Sequence, residues 1–105
     1  MKQEVRTAFA AATAANAAAQ FARTAENLAR VNPSEWELVD QAYWLCRSAA
    51  SKAEAAADAL DPEWADLDET VTYAHATANG AAQLATEAAD DLVSLAEANH
   101  HTIRR

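Results

Sequence analysis

An all-α chain folded as an antiparallel three-helix bundle follows from three observations on this sequence. First, 31 of its 105 residues are alanine, while glycine occurs once and proline only at positions 33 and 62. Alanine costs least in a helix, and glycine and proline are its main breakers. Second, valine and isoleucine are scarce and no stretch alternates with period two, which leaves no candidate strand. Third, apolar residues recur at alternating steps of three and four, the spacing that keeps one stripe of a helix dry. The length suits a single domain, residues 1–105, with one modest core.

The first helix is expected near residues 3–31, with the stripe Thr7, Ala11, Ala14, Ala18, Phe21, Ala25 and Leu28. Asn32-Pro33-Ser34-Glu35 then spells a helix start in side chains. Asn32 can accept from a free amide as N-cap, Pro33 suits the first helical position, and Glu35 can reach back to the cap. The second helix, 33–60, carries Val39, Ala42, Cys46, Ala49, Ala53, Ala56 and Leu60. Asp61-Pro62-Glu63 repeats the device and opens a third, longest helix, 62–100. Its stripe is Trp64, Leu67, Val71, Ala74, Ala78, Ala81, Ala85, Ala88, Leu92 and Leu95.

Three sustained stripes joined by very short turns give an up-down-up bundle. Alanine at the facing positions draws the axes toward the lower end of the usual ~8–10 Å separation. Large side chains gather at the two ends, with Leu60, Trp64 and Leu67 below and Leu28, Val39 and Leu92 above. Val5 and Phe9 lie off the first stripe and are expected at the lower end, near Trp64 or Leu60. The stripe passes Gly80 without a phase slip, so the expectation is a continuous third helix with Asn79-Gly80 as the place for a kink. With level starts the third helix outruns its neighbours by roughly eight to ten residues, about 12–15 Å. That overhang includes Val93, Leu95 and Ile103, and calls for a folded-back tail, a bound partner or a homodimer to cover it.

Charge is distributed unevenly. The net charge is −8, and between Asp61 and Asn99 there are nine acids and no lysine or arginine. Residues 1–31 balance at +2 and residues 32–60 at −3. Asp66, Asp68 and Glu69 sit at a helix N-terminus, where the macrodipole favours them. Glu87, Asp90, Asp91 and Glu97 lie in the C-terminal half, where it does not, and with the first group they outline a negative strip along the third helix. Such a strip suits a basic protein surface and not nucleic acid itself, because phosphate neutralisation needs clustered lysine and arginine.

Trp44 is the most informative aromatic, since its heptad position is the one farthest from the second stripe. Tyr43 and Arg47 fall within its reach, and this trio has the composition of an interface anchor. Cys46 and His75 come near each other in the assumed register, but Cys46 occupies a core position with no third orienting group, which describes an inert thiol. His100 and His101, with Arg104 and Arg105, read as a basic helix C-terminus. No catalytic, cofactor-binding or metal-ligating set emerges, because the heptads direct few polar residues inward.

A lone cysteine fits a reducing compartment, the run Phe9 to Ala19 lacks the leucines of a signal sequence, and nothing approaches the ~20 apolar residues of a membrane span. A cytoplasmic protein is expected. The function these features imply is that of a small acidic module with no enzymatic activity, acting by occluding a basic surface of a larger protein. That surface includes the kind that otherwise binds nucleic acid, as inhibitors and phage counter-defence proteins exploit. Trp44, Tyr43 and Arg47 would anchor the contact, with Asp66, Asp68, Glu69, Glu87, Asp90, Asp91 and Glu97 steering it. The other role compatible with the pattern is a self-assembling scaffold, including a homodimer through the C-terminal overhang.

Overall fold

Two connections, residues 32–35 and 59–69, set the topology, and each is held by the acceptor side chain that precedes its proline. In the computed structural model, which describes residues 1–103, the Ser34 amide and hydroxyl both donate to Asn32 Oδ1, at 3.1 and 2.7 Å. The Glu63 amide donates to Asp61 Oδ1 at 2.9 Å. The helices are α1 (Lys2–Val31), α2 (Trp36–Asp58) and α3 (Thr70–Ala98). Phe9 near the start of α1 meets Tyr73 near the start of α3 (ring centroids 5.7 Å apart), whereas His101 beyond α3 meets Trp36 at the start of α2. The middle helix therefore runs against the other two, in a rod of 52 × 18 × 16 Å. No helix among the described residues is long and apolar enough to cross a membrane.

Both proline turns are tighter than expected. Pro33–Glu35 and Pro62–Asp66 are 3-10 segments, and the α-helical backbone begins only at Trp36 and Thr70. Glu35 makes no side-chain bond back to the cap, so only half of the expected capping box forms. The third arm, counted from Pro62 to Ala98, is still the longest, but α3 itself has 29 residues against 30 in α1. Its true start is marked by Asp68, whose Oδ1 accepts from the Thr70 amide at 2.9 Å. That hydrogen bond holds the Asp68 carboxyl below its ordinary pKa, so the cap is complete at neutral pH and weakens as acid protonates it.

Packing follows the stripes with one rotation. Every member of the α2 stripe is buried, and so is every α3 member from Val71 to Leu95. In α1 the dry face is Ala8, Ala12, Ala15, Ala18, Ala22, Ala25 and Ala29, about one residue on from the expected phase. Thr7, Ala14 and Leu28 consequently point outward, Leu28 at 41% exposure. Methyl groups, and not the larger side chains, line the seam because only they let the three axes close together. Leu67 is a second departure, at 78% exposed. It ends a 3-10 turn of three residues per turn, so a 3.6-residue stripe cannot be carried back through it. Trp64 is half-buried and joins Val5, Phe9 and Leu60 in the lower cluster, as expected.

α3 runs unbroken through Asn79 and Gly80, and a methyl group built at Gly80 would meet nothing within 4 Å. Gly80→Ala is accordingly expected to stabilise the fold by about 1 kcal/mol, read as a higher urea midpoint at unchanged slope.

The expected C-terminal overhang does not form: α3 is no longer than α1, Leu95 lies in the core cluster with Val39 and Leu92, and the chain past Ala98 turns back level with the start of α2. His100 adopts a left-handed φ of 56°, the His101 amide donates to the Ala96 carbonyl at 2.8 Å, and the His100 amide donates to Glu97 at 3.2 Å. These bonds form a Schellman cap in which histidine stands where glycine is usual. The reversal lays the His101 ring on Trp36 (4.7 Å, 17° between planes) and brings its Nε2 within 2.9 Å of Asp40 Oδ1. Asp40 is the one buried charged side chain among the described residues. Leu95 is buried, and Val93 and Ile103 are half-buried. His100 and His101 thus lie past the helix end as cap and clasp, a correction to their reading as its basic last turn. Arg104 and Arg105 lie outside the described residues.

Candidate protein-docking face

Position 44 on α2 was expected to face water, and Trp44 is 40% exposed. Its ring stands edge-on to half-buried Tyr43, with centroids 4.8 Å apart and planes at 80°. The two aromatics form one wall of a groove of about 390 Å³, opposite Val93, Ala96 and Glu97 of α3, with His101, Thr102 and Ile103 closing its end. The Schellman reversal positions that end wall. The sequence therefore brings an edge-on aromatic pair, an aliphatic residue and a carboxylate into one open concavity.

The residues expected to act together divide between the two ends of the rod. Asp66, Asp68 and Glu69 are exposed beside the start of α3, and Glu97 is in its last turn, some 40 Å away at the α-helical rise. Asp68 is also engaged as the helix cap. The upper acids divide again around the helix. Asp91 binds Arg23 of α1, which also lies 3.6 Å from Glu26. This pairing raises the Arg23 pKa and uses charge within the bundle, as the positive balance of the first helix suggested. Glu87, four residues before Asp91, shares that side and accepts from Gln83 at 3.2 Å. Asp90 and Glu97 are spaced with Val93 on the opposite flank, toward α2, where Val93 and Glu97 line the groove. Neither Asp90 nor Glu97 has an ion-pair partner among the described residues.

Two acids missed by the sequence reading extend this flank. Glu54 and Asp58 stand on α2 at the spacing that continues from Tyr43 and Arg47, and both are exposed. They fall outside the expected strip because α2 mixes its acids with Arg47 and Lys52, whereas residues 61–99 carry acids alone. Charge counted by bundle face would have found them. Arg47 is exposed on the same flank and forms no ion pair among the described residues. The α2–α3 face thus presents Glu54, Asp58, Asp90 and Glu97 around one arginine and an aromatic groove.

The thiol and imidazole do not form a pair. Cys46 is fully buried, and its Sγ–H donates to the Ala18 carbonyl at 3.3 Å. Burial pushes its pKa up, away from a nucleophilic thiolate. His75 is exposed and contacts Asn79 at 3.3 Å. No protein family, curated protein or solved structure matches this chain.

Proposed function

We propose that this chain is a small acidic protein-binding module that occludes a basic surface of a larger protein, in the manner of an inhibitor or counter-defence protein. As such a module it would have no enzymatic activity and would work in the cytoplasm. The observation that carries it is the groove in which Trp44 and Tyr43 face Val93 and Glu97 on the acidic α2–α3 flank. Carboxylates on that flank attract a basic partner over about a Debye length, ~10 Å at 0.1 M salt. Desolvation of the indole then supplies the short-range hold, the role tryptophan takes at binding hot spots. If the target normally holds DNA or RNA, Glu54, Asp58, Asp90 and Glu97 would take the place of phosphates. Nucleic acid would then compete with the chain for that target.

The test is capture of the partner from the native cell or its host, followed by affinity measurement on the purified pair. Binding is expected to weaken steeply with salt. Trp44→Ala is expected to cost about 2 kcal/mol, a loss of roughly 30-fold. Neutralising the flank with Asp90→Asn and Glu97→Gln is expected to slow association more than it speeds release. A partner whose affinity ignores both salt and Trp44→Ala would refute the reading.

A further inference from the structure

The flank opposite the acids, between α1 and α2, is a shallow apolar trough of about 670 Å³. Ala10 and Ala14 form one side, and Leu45, Ser48, Lys52 and Ala55 the other. Leu45 is 46% exposed there, although an adjacent position would have buried it. The α1 side of the trough continues upward by seven-residue steps from Ala14 through Phe21 to exposed Leu28. Among the described residues, Lys52 is the one charged residue lining the trough.

We infer that this face is where a second copy of the chain packs, about a two-fold axis. The charge map selects the occupant. Each copy has a net charge of −8, so two copies repel wherever their carboxylates meet. Glu54, Asp58, Asp90 and Glu97 occupy the α2–α3 flank, and Glu87 and Asp91 lie toward the α1–α3 flank. Among the described residues no carboxylate lines the α1–α2 trough, so a like molecule can meet it without burying acid against acid. A basic partner has no charge reason to choose this trough over the acidic flank. A two-fold contact also sets the trough against itself, so its apolar walls meet apolar walls and no complementary partner surface is needed. Lys52 can lay its methylenes along the contact and keep its ammonium at the rim. The dimer leaves both Trp44 grooves facing outward, and it stands or falls independently of the docking reading.

Salt distinguishes the two. Docking on a basic partner weakens as salt rises, whereas self-association of two acidic chains through an uncharged face strengthens as their repulsion is screened. Sedimentation equilibrium of the full chain up to about 1 mM, at low and high salt, is the experiment. The expected result is a reversible dimer whose dissociation constant falls with added salt. Leu45→Glu puts two carboxylates into one two-fold contact and is expected to weaken the dimer by at least ~100-fold at unchanged melting of the monomer. Lys52→Glu should act in the same direction, and Trp44→Ala should leave the dimer intact. A strict monomer throughout, a dimer that dissociates with salt, an open-ended series of larger assemblies, or indifference to both Leu45→Glu and Lys52→Glu would overturn the proposal.

Discussion

Leu92→Ala is expected to remove about 3 kcal/mol of folding free energy, a fall in melting temperature of roughly 15 °C for a domain of this size. The size of the effect follows from the composition of the core. Among the described residues, all but six of the buried apolar ones are alanine, and a buried alanine contributes only one methyl group. The exceptions are Val39, Cys46, Leu60, Val71, Leu92 and Leu95. Of these, Leu92 is the largest side chain wholly withdrawn from water, and it lies in the same cluster as Val39, Cys46 and Leu95. Truncation removes its transfer free energy and leaves a cavity that three packed helices can close only in part. Leu92→Met, which keeps the volume, should cost less than about 1.5 kcal/mol. Urea unfolding of both variants, with the slope checked for constancy, makes the comparison. Equal losses from the two would show that the upper core is loosely packed and that alanine contacts carry the fold.

The distribution of large side chains also determines how much of the structure could be read in advance. The α2 stripe was legible to the residue because Val39, Cys46 and Leu60 fix its phase among charged neighbours such as Glu37 and Asp58. The α1 phase was not, because alanine stands on both sides of the choice. Phe21 and Leu28 then drew the stripe toward themselves, although neither fits a seam made of methyl groups. The start of α3 was misplaced because a proline turn announces a helix without announcing its type, and 3-10 backbone shifts every later side chain. At the candidate site, the exposure of Trp44 was legible from its heptad position. The grouping of the acids was not, since a single-helix reading cannot show that Asp91 turns to Arg23 while Glu97 turns to Tyr43 and Trp44. The clasp of His101 on Asp40 and Trp36 depends on the chain reversing at His100, and no periodic pattern encodes that reversal.

Two neighbouring alanines test the α1 phase directly. Ala15 is buried in the seam and Ala14 is exposed, the reverse of what the stripe through Phe21 and Leu28 implies. Ala15→Leu adds three carbons where α1 meets its neighbours, and the rod is only 16–18 Å across. The thiol of Cys46 already reaches the Ala18 carbonyl one turn away, so little slack exists between α1 and α2. Overpacking of this kind forces strained rotamers or separates the helices, and the expected loss is about 3 kcal/mol. Ala14→Leu has nearly the same helix propensity and should stay within about 0.5 kcal/mol of the parent. Thermal unfolding followed by circular dichroism, on dilute protein so that self-association does not contribute, reads both. Helix content before the transition should be alike in the two, which assigns the difference to packing. If Ala14→Leu were the damaging change and Ala15→Leu the silent one, the seam would lie where the heptad count first placed it. The α1–α2 trough, and the dimer proposed to form across it, would then lose their structural basis.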